Sequence, residues 1–391
     1  MTRVMEALFG RLPIGWLQLI HSKPRLAAAL AGVAFANILV FMQLGFLGAL
    51  ISTIRIPYEQ FNADIMIVAS DMNTLSDGSP LPRQRMYQAL SVPGVGRATP
   101  VYHGKLDWKQ KDGTIRTLDV FGIDPAADVF RTPEIKARAA NLTLSYRVLI
   151  DRKTRNAPKD VFDSIDAGKP YVFEALGRQL TVVGTFRLGG GFVADGYLVT
   201  SDQTFLKMFP QRSSGAPNYI MVSVTEGANA SSVAERLRAA LPAYDSSVRT
   251  IAQAIARDRA FQTTQKPVGL VFGFGIVIGI LVGVIIVYQV LSTDVADHMK
   301  EYATFKAIGY RQRFFLSIVL EEALVLAVLG FIPGMAISLG LYALVTRAAE
   351  LPLDMSIWRA GMVLAGTIVM CVISGAIATR RLSKANPADL F

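Results

Sequence analysis

The stretch Val268–Thr293, VGLVFGFGIVIGILVGVIIVYQVLST, contains no charged residue. A helix needs roughly 20 apolar residues to cross the hydrocarbon core of a bilayer, which is about 30 Å thick. This stretch is long enough, so it predicts a membrane-spanning helix. The composition agrees, because 52% of the 391 residues are hydrophobic and only 18% are charged, whereas soluble domains average about 25% charged residues.

Three other segments are long and apolar enough to span. Leu26–Ile54 and Ala360–Thr379 carry no charge, and Phe314–Thr346 carries only Glu321 and Glu322. The first is longer than the roughly 7–15 apolar residues of a signal peptide, so we interpret it as an uncleaved anchor. The predicted order is an interfacial amphipathic segment (1–25), a first span (26–51), a large domain (52–266) with a stalk (251–266), a second span (267–293), a loop (294–313), a third span (314–346), a short loop (347–359), a fourth span (360–379) and a tail (380–391).

Basic residues near the spans predict the topology. They concentrate before the first span, in the 294–313 loop and after the fourth span. The positive-inside rule therefore places both termini and that loop in the cytoplasm, and residues 52–266 outside. Since much of the net charge of +10 flanks the spans, it does not indicate nucleic-acid binding.

The large domain has mixed helix and strand signals. Lys111-Asp112-Gly113 lies between two strand-like stretches, 105–110 and 115–123, and predicts a hairpin. Pro82–Leu90 predicts a helix with proline at its first position. The predicted fold class is therefore a membrane protein with four transmembrane α-helices, arranged one plus three, and a large α+β periplasmic domain between spans one and two.

Motifs for catalysis and metal binding are missing from the sequence. It contains no G-x-x-x-x-G-K-[ST], G-x-S-x-G or H-E-x-x-H pattern. The single cysteine, Cys371, excludes an intramolecular disulfide, and the three histidines are far apart. We expect no catalytic residue, no metal site and no cofactor on this chain.

The loop between the second and third spans predicts a short amphipathic helix over residues 297–310. Met299, Tyr302 and Phe305 share one face, and Gly309 suits the end of a helix. Such a helix could lie on the lipid surface or dock in a groove of a soluble partner. Its mixed charge favours the partner. The candidate docking residues are Lys300, Glu301, Tyr302, Phe305, Lys306, Ala307, Gly309 and Tyr310.

Small, acidic and helix-bending residues within the spans form three further groups of candidates. Gly275, Gly279 and Gly283 share one helix face, which suits either a dimer or moving contact or static packing inside one chain. The intramembrane pair Glu321 and Glu322 is a functional-site hypothesis by default. We favour a structural anchor over a substrate or proton relay. Gly330, Pro333 and Gly334 permit either a hinge or a fixed bend in the third span.

The one-plus-three layout, the outer domain and the loop helix resemble the MacB/FtsX-type (type VII) superfamily of ABC transporter membrane subunits. In that superfamily the loop often reads R-E-I-G-I-R-R-A-L-G-A. Here Glu301, Ala307 and Gly309 match that pattern, while Ala303 and Phe305 depart from it. The stretches W-L-Q-L (16–19), E-Y-A-T-F-K-A-I-G-Y (301–310) and G-F-I-P-G (330–334) resemble the DevC-type permeases more closely.

The resemblance implies a machine made of several parts. A separate cytoplasmic ATPase, carrying ATP and Mg, would bind the 297–310 helix, and two copies of this chain would form a homodimer in a bacterial inner membrane. DevC-type systems are associated with a membrane-fusion (HlyD-like) periplasmic adaptor, a TolC-like outer-membrane channel and glycolipid export. The implied mechanism is mechanotransmission. An FtsX-like transmitter that activates a periplasmic partner, a sensor without an ATPase and a lipoprotein-releasing permease remain as alternatives.

Overall fold

The computed structural model describes residues 14–299, 301, 304–305 and 308–384. These form two compact units. The bundle unit comprises the described residues within Met1–Gly48, Leu270–Ala348 and Leu353–Phe391, and the interspan domain comprises Ala49–Gly269 with Ala349–Pro352.

The described helices and strands follow in chain order. The helices are α1 (Ile14–His21), α2 (Lys23–Gln60), α3 (Gln84–Leu90), α4 (Pro133–Arg138), α5 (Lys159–Asp166), α6 (Asp202–Met208), α7 (Ala230–Ala240), α8 (Ile251–Thr264), α9 (Pro267–Asp297), α10 (Gln312–Ala349) and α11 (Ile357–Lys384). The strands are β1 (Ile65–Ala69), β2 (Val95–Lys109), β3 (Ile115–Ile123), β4 (Arg147–Asp151), β5 (Tyr171–Ala175), β6 (Arg178–Phe186), β7 (Gly196–Ser201), β8 (Tyr219–Val224) and β9 (Ser246–Thr250).

Four of the described helices are long and apolar enough to cross a membrane: Lys23–Gln60, Pro267–Asp297, Arg313–Ala349 and Ile357–Thr379. Within the bundle unit, all four contribute to one hydrophobic core. That core includes Val33 of α2, Leu291 of α9, Ile318 of α10 and Cys371 of α11, and the Trp16 side chain of α1 joins it. The sequence-based fold class is confirmed: four apolar helices and a mixed helix-and-strand domain after the first.

The interspan domain is built on a nine-stranded mixed sheet in the order β5-β6-β4-β7-β3-β2-β8-β1-β9. The pairs β3–β7 and β4–β6 are parallel and the other pairs are antiparallel. The 15-residue strand β2 pairs with β8 along its first half and with β3 along its second half. Helices α5 and α6 pack on one hydrophobic core, and α3 and α7 pack on a second.

Local sequence signals predicted some of these elements well. The predicted hairpin is β2–β3, with Lys109 opposite Ile115 across the turn. Helix α3 begins at Gln84 instead of Pro82. The reason is tertiary: the backbone amides of Leu81 and Arg83 donate to Pro217 O and Gly215 O, at 2.8 and 2.7 Å. This pairing holds the start of the predicted helix against a neighbouring loop.

The predicted stalk contains α8. Thr250 caps its first turn, and the Gln253 side chain completes a capping box by accepting from the Thr250 amide at 3.1 Å. Such caps stabilise a helix start by about 1 kcal/mol. The polar sequence of this segment therefore folds as a helix with a defined beginning.

Candidate functional site

The segment between α9 and α10 contains the residues predicted to dock a partner. Lys300, Tyr302, Lys306 and Ala307 lie outside the described residues. Gly309 has a φ of +106°, a left-handed conformation that favours glycine. The amides of Ile308 and Tyr310 donate to Thr304 O and Phe305 O, each at 3.1 Å. These bonds close the end of a helical turn in the way glycine-terminated helices do.

Among the described residues of this segment, some pack against the bundle core and others are exposed. The Phe305 ring packs against the bundle core and lies 5.6 Å from the Tyr310 ring and 6.1 Å from the Phe314 ring. Ile308 is 70% exposed and Tyr310 is 45% exposed, and Glu301 is exposed as well. The described residues of this segment therefore expose apolar and acidic side chains, while Phe305 packs against the bundle core.

Helix α1 belongs to the same site, which sequence reasoning did not anticipate. Gln18 Nε2 donates to Glu301 Oε2 at 3.5 Å. Met299 and Phe305 pack against the core cluster that includes Trp16 and Leu19. The sequence predicted an interfacial amphipathic segment over residues 1–25, beside the first span, but it did not predict the contact with Glu301.

The two acidic residues of α10 are fully enclosed. Glu321 is 2% exposed and Glu322 is 0% exposed. Glu321 Oε1 accepts from the Trp16 amide at 3.4 Å, and a Cβ at Gly15 would come within 2.8 Å of Glu322 Cγ. The first turn of α1 thus lies directly on these carboxyl groups, and negative charge near a helix N-terminus is favourable.

Asp294, near the end of α9, is the partner of Glu322, and sequence reasoning missed it. Asp294 is 2% exposed, and its carboxyl group is electrostatically coupled to that of Glu322. Within the described residues, neither Glu322 oxygen accepts a bond from a conventional donor. Two buried carboxyl groups therefore lie close to each other, an arrangement that a single proton held between them would stabilise.

Basic groups also contact Asp294. Arg25 Nη1 lies 3.8 Å from Asp294 Oδ1 and His298 Nδ1 lies 3.7 Å from Oδ2. Arg25 forms a second ion pair with Asp297. Asp294 thereby connects α9 with the start of α2, and the nearby guanidinium group reduces the cost of burying this acid.

The predicted glycines lie at close contacts between helices of the bundle unit. Gly275 and Gly279 face Gln43 and Val40 of α2, and Gly283 faces Met370 of α11. Static packing inside the chain therefore accounts for all three positions, and their predicted role between two copies stays a prediction.

The predicted hinge of α10 also packs on α2. A Cβ at Gly330 would meet Val33, and one at Gly334 would meet Asn37. Pro333 lies inside the continuous helix Gln312–Ala349. These glycines allow α2 and α10 to approach closely, while bending at this point remains a prediction.

The interspan domain contains a buried acid that the sequence did not reveal. Asp258 of α8 accepts at Oδ2 from Tyr58 Oη at 2.8 Å and from the Leu75 amide at 3.0 Å. Burial raises the pKa of Asp258 to about 6, and the donated bonds oppose that shift. Tyr219 Oη donates to Leu75 O. Asp258 therefore ties the 73–77 loop to α8 and to the end of α2.

Metal binding finds no support in the described part of the chain. No group of three or more histidine, cysteine, aspartate or glutamate side chains there could hold a metal ion.

Two family models match the chain. Residues 26–240 match the MacB-like periplasmic core domain, and residues 273–387 match the FtsX-like permease C-terminal region. The chain belongs to the MacB/FtsX-type family of ABC transporter permeases. It is therefore a membrane permease subunit, of a family that is generally non-enzymatic and that implies an ABC ATPase partner.

Solved structures similar to this chain include three permease domains. The periplasmic region of MacB from Actinobacillus actinomycetemcomitans is 14% identical with a TM-score of 0.31, covering 50% of this chain and 91% of that one. The extracellular domain of the noncanonic ABC-type transporter YknZ from Gram-positive bacteria is 10% identical with a TM-score of 0.31, covering 48% and 98%. A domain of a putative permease from Porphyromonas gingivalis is 14% identical with a TM-score of 0.30, covering 50% and 90%. A comparison with curated proteins finds no match.

The two family models confirm the resemblance to the MacB/FtsX superfamily and the assignment as an ABC permease. The DevC-type assignment, the homodimer, the adaptor, the outer-membrane channel and the lipid substrate stay predictions.

Proposed function

We propose that this chain is the membrane subunit of a DevC-type ABC exporter in a bacterial inner membrane. A separate cytoplasmic ATPase, which binds ATP and Mg, docks on the segment between α9 and α10. Its motion passes to the interspan domain, which lies in the periplasm and moves a lipid, glycolipid or other hydrophobic substrate toward an adaptor. The chain itself holds no cofactor and transmits force.

The observation that carries the proposal is the arrangement of the described residues between α9 and α10, which are 299, 301, 304–305 and 308–310. The inner side of this segment is fixed by Phe305 in the bundle core, and its end is set by the left-handed Gly309. Its outer side exposes Ile308, Tyr310 and Glu301. A short element with an apolar anchor and an exposed mixed surface suits docking in a groove of a soluble partner.

Two features of the helices support transmission. Helix α2 runs without interruption from Lys23 to Gln60, so a displacement at its start reaches its end. The capped helix α8 is followed by α9 after a break of two residues, Gln265 and Lys266. Allosteric couplings of about 1–3 kcal/mol are sufficient to shift a two-state element of this kind.

The proposed assembly contains two copies of this chain, a HlyD-like periplasmic adaptor and a TolC-like outer-membrane channel. These partners come from the DevC-like motifs in the sequence. The adaptor and the channel distinguish the exporter from an FtsX-like transmitter. A transmitter would bind the ATPase and would need neither an adaptor nor a channel.

Co-purification with the ATPase encoded nearby tests the docking surface. The wild-type chain should retain the ATPase in detergent, and a Glu301→Lys, Gly309→Pro double variant should lose it. Gly340→Ala is a matched control, because the Gly340 position is open. Retention of the ATPase by the double variant would contradict docking at this segment, and no retention by the wild type would favour the sensor alternative.

A second arm tests the export pathway. Crosslinking in cells should capture the adaptor on the interspan domain, and deletion of the gene should cause the substrate lipid to accumulate. ATPase binding without an adaptor and without lipid accumulation would replace the exporter by the FtsX-like transmitter.

A further inference from the structure

A cavity lies in the interspan domain, where the end of α2 approaches the start of α8. Its volume is about 680 Å³, within the range of small-molecule sites. No residue of the predicted docking segment lines it. The cavity therefore needs an explanation of its own.

The walls of the cavity combine two chemistries. Ile51, Ile251 and Ile255 line it with partly exposed aliphatic side chains. Three arginines line it as well: Arg55, Arg131 and Arg259. An apolar wall beside guanidinium groups suits a molecule that has a hydrocarbon part and an anionic head.

The acidic residues of the cavity do not neutralise all three arginines. Glu59 pairs with Arg55 along α2, and Asp64 Oδ2 accepts from the Val224 amide at 3.0 Å. Within the described part of the chain, neither Arg131 nor Arg259 forms a salt bridge with an acid. Arg131 Nη2 donates to Ala63 O at 3.5 Å. The other N–H groups of Arg131 and those of Arg259 can bind an anion, and a guanidinium group can donate two parallel hydrogen bonds to a phosphate or a carboxylate.

The position of the cavity in the chain points to the source of the ligand. The uncharged run of α2 ends at Ile54, and Arg55 is the first charged residue after Arg25. Arginines near the end of an apolar span extend their charged heads to the membrane interface. Ile51 lies one turn before Arg55 on the same helix, where it can contact the upper part of an acyl chain.

We propose that this cavity binds an anionic lipid of the surrounding bilayer. Arg131 and Arg259 hold the headgroup, and Ile51, Ile251 and Ile255 contact the acyl chain. The site does not depend on the ATPase, so its test can fail while the proposed function stands.

The test uses the full chain in a neutral maltoside detergent. Ser231 borders the cavity and is exposed, so Ser231→Cys in a Cys371→Ala background can carry an environment-sensitive fluorophore. The probes are lysophosphatidylglycerol, lysophosphatidylcholine and glycerol 3-phosphate. We expect the anionic lyso-lipid to change the emission at a roughly tenfold lower mole fraction than the zwitterionic one, because only the anionic headgroup gains charge-assisted contacts with the arginines without a competing cation.

Arginine variants locate the site. The Arg131→Gln, Arg259→Gln double variant should abolish the preference for the anionic lipid. Arg259→Gln alone should weaken that preference, and it serves as the test if the double variant does not fold. Arg178→Gln, an exposed arginine of β6 away from the cavity, should leave the preference unchanged. Equal responses to both lyso-lipids, or an unchanged preference in both cavity variants, would overturn the proposal. An equal response to glycerol 3-phosphate would also overturn it, because the cavity would then be a simple anion site.

Discussion

Asp258 is the residue whose titration has the clearest consequence. Its pKa of about 6 in the folded chain lies above the usual 3.9 of an unfolded aspartate. The folded state therefore binds more protons between about pH 4 and 6, and stability falls as the pH rises through that window. Two pKa units correspond to about 2.7 kcal/mol. Asp258→Asn should remove most of this slope while keeping an acceptor for Tyr58.

Trp108 offers a local readout of that change. It is buried in the interspan domain against Phe173, and the chain has three tryptophans. In a Trp16→Phe, Trp358→Phe background, Trp108 fluorescence reports the thermal unfolding of this domain alone. A pH slope of equal size in Asp258→Asn would show that another group titrates. Asp112→Asn, on an exposed turn, is the control.

We predict that Glu322 and Asp294 share one proton, and this hypothesis gives a specific order of stabilities for variants of Glu322. Glu322→Gln keeps a donor toward Asp294 permanently, so its stability should lie within about 1 kcal/mol of the wild type. Glu322→Ala opens a cavity and leaves Asp294 without its hydrogen bond, and should cost roughly 2–5 kcal/mol. Thermal unfolding in detergent compares the two. Equal losses in both variants would contradict a shared proton.

For single residues, the sequence indicated some of the buried acids but not the side chains that they contact. Glu321 and Glu322 stand out as acids within an apolar stretch, and their burial follows from that pattern. Asp294 and Asp258 do not stand out, because each lies in a segment with other polar residues. Asp294 is buried by its contacts with α10. Asp258 is buried by its contact with Tyr58, which lies 200 residues away in the chain.

Among the helices, α1 provides the most direct test of packing. Gly15 lies against Glu322 and Ile318, with no room for a side chain. Gly15→Leu should therefore lift α1 from α10, expose Trp16 and shift its fluorescence to the red in a chain where Trp16 is the sole tryptophan. Gly273→Leu is a matched control, because nothing lies within 4 Å of a Cβ at Gly273. An unshifted Trp16 emission in Gly15→Leu would show that α1 is held by other contacts.

Elements were predictable where the signal was local. The hairpin turn, the capped start of α8 and the four apolar helices each follow from neighbouring residues. The start of α3 and the extent of β1 depend on partners elsewhere. Strand β1 pairs on both edges and is buried at every position, so the alternating pattern of an amphipathic strand is absent from it.

For the molecule as a whole, the predicted topology can be tested with single cysteines. In a Cys371→Ala background, Lys111→Cys lies on the exposed β2–β3 turn and Ile308→Cys on the exposed docking segment. A membrane-impermeant maleimide should label position 111 in intact spheroplasts, and position 308 only after permeabilisation. Labelling of both positions in intact spheroplasts would contradict the positive-inside assignment.

The order of strands could not have been derived from the sequence. Strand β2 follows β1 along the chain, yet β8 separates them in the sheet. The register is set by side chains buried in two separate cores, and these contacts join residues far apart in the chain. Hydrophobic patterning predicts which segments are buried, but it does not state which segments are neighbours.

Strand β2 also determines how the interspan domain responds to a pull. Its first half is bonded to β8 and its second half to β3, so one continuous backbone crosses both halves of the sheet. A force along β2 loads its hydrogen bonds to β8 and β3 in shear and at the same time. These bonds therefore resist together and do not break one after another. The domain should therefore be mechanically stiff along this direction, and a push applied at one end should arrive at the other with little lost to internal stretching.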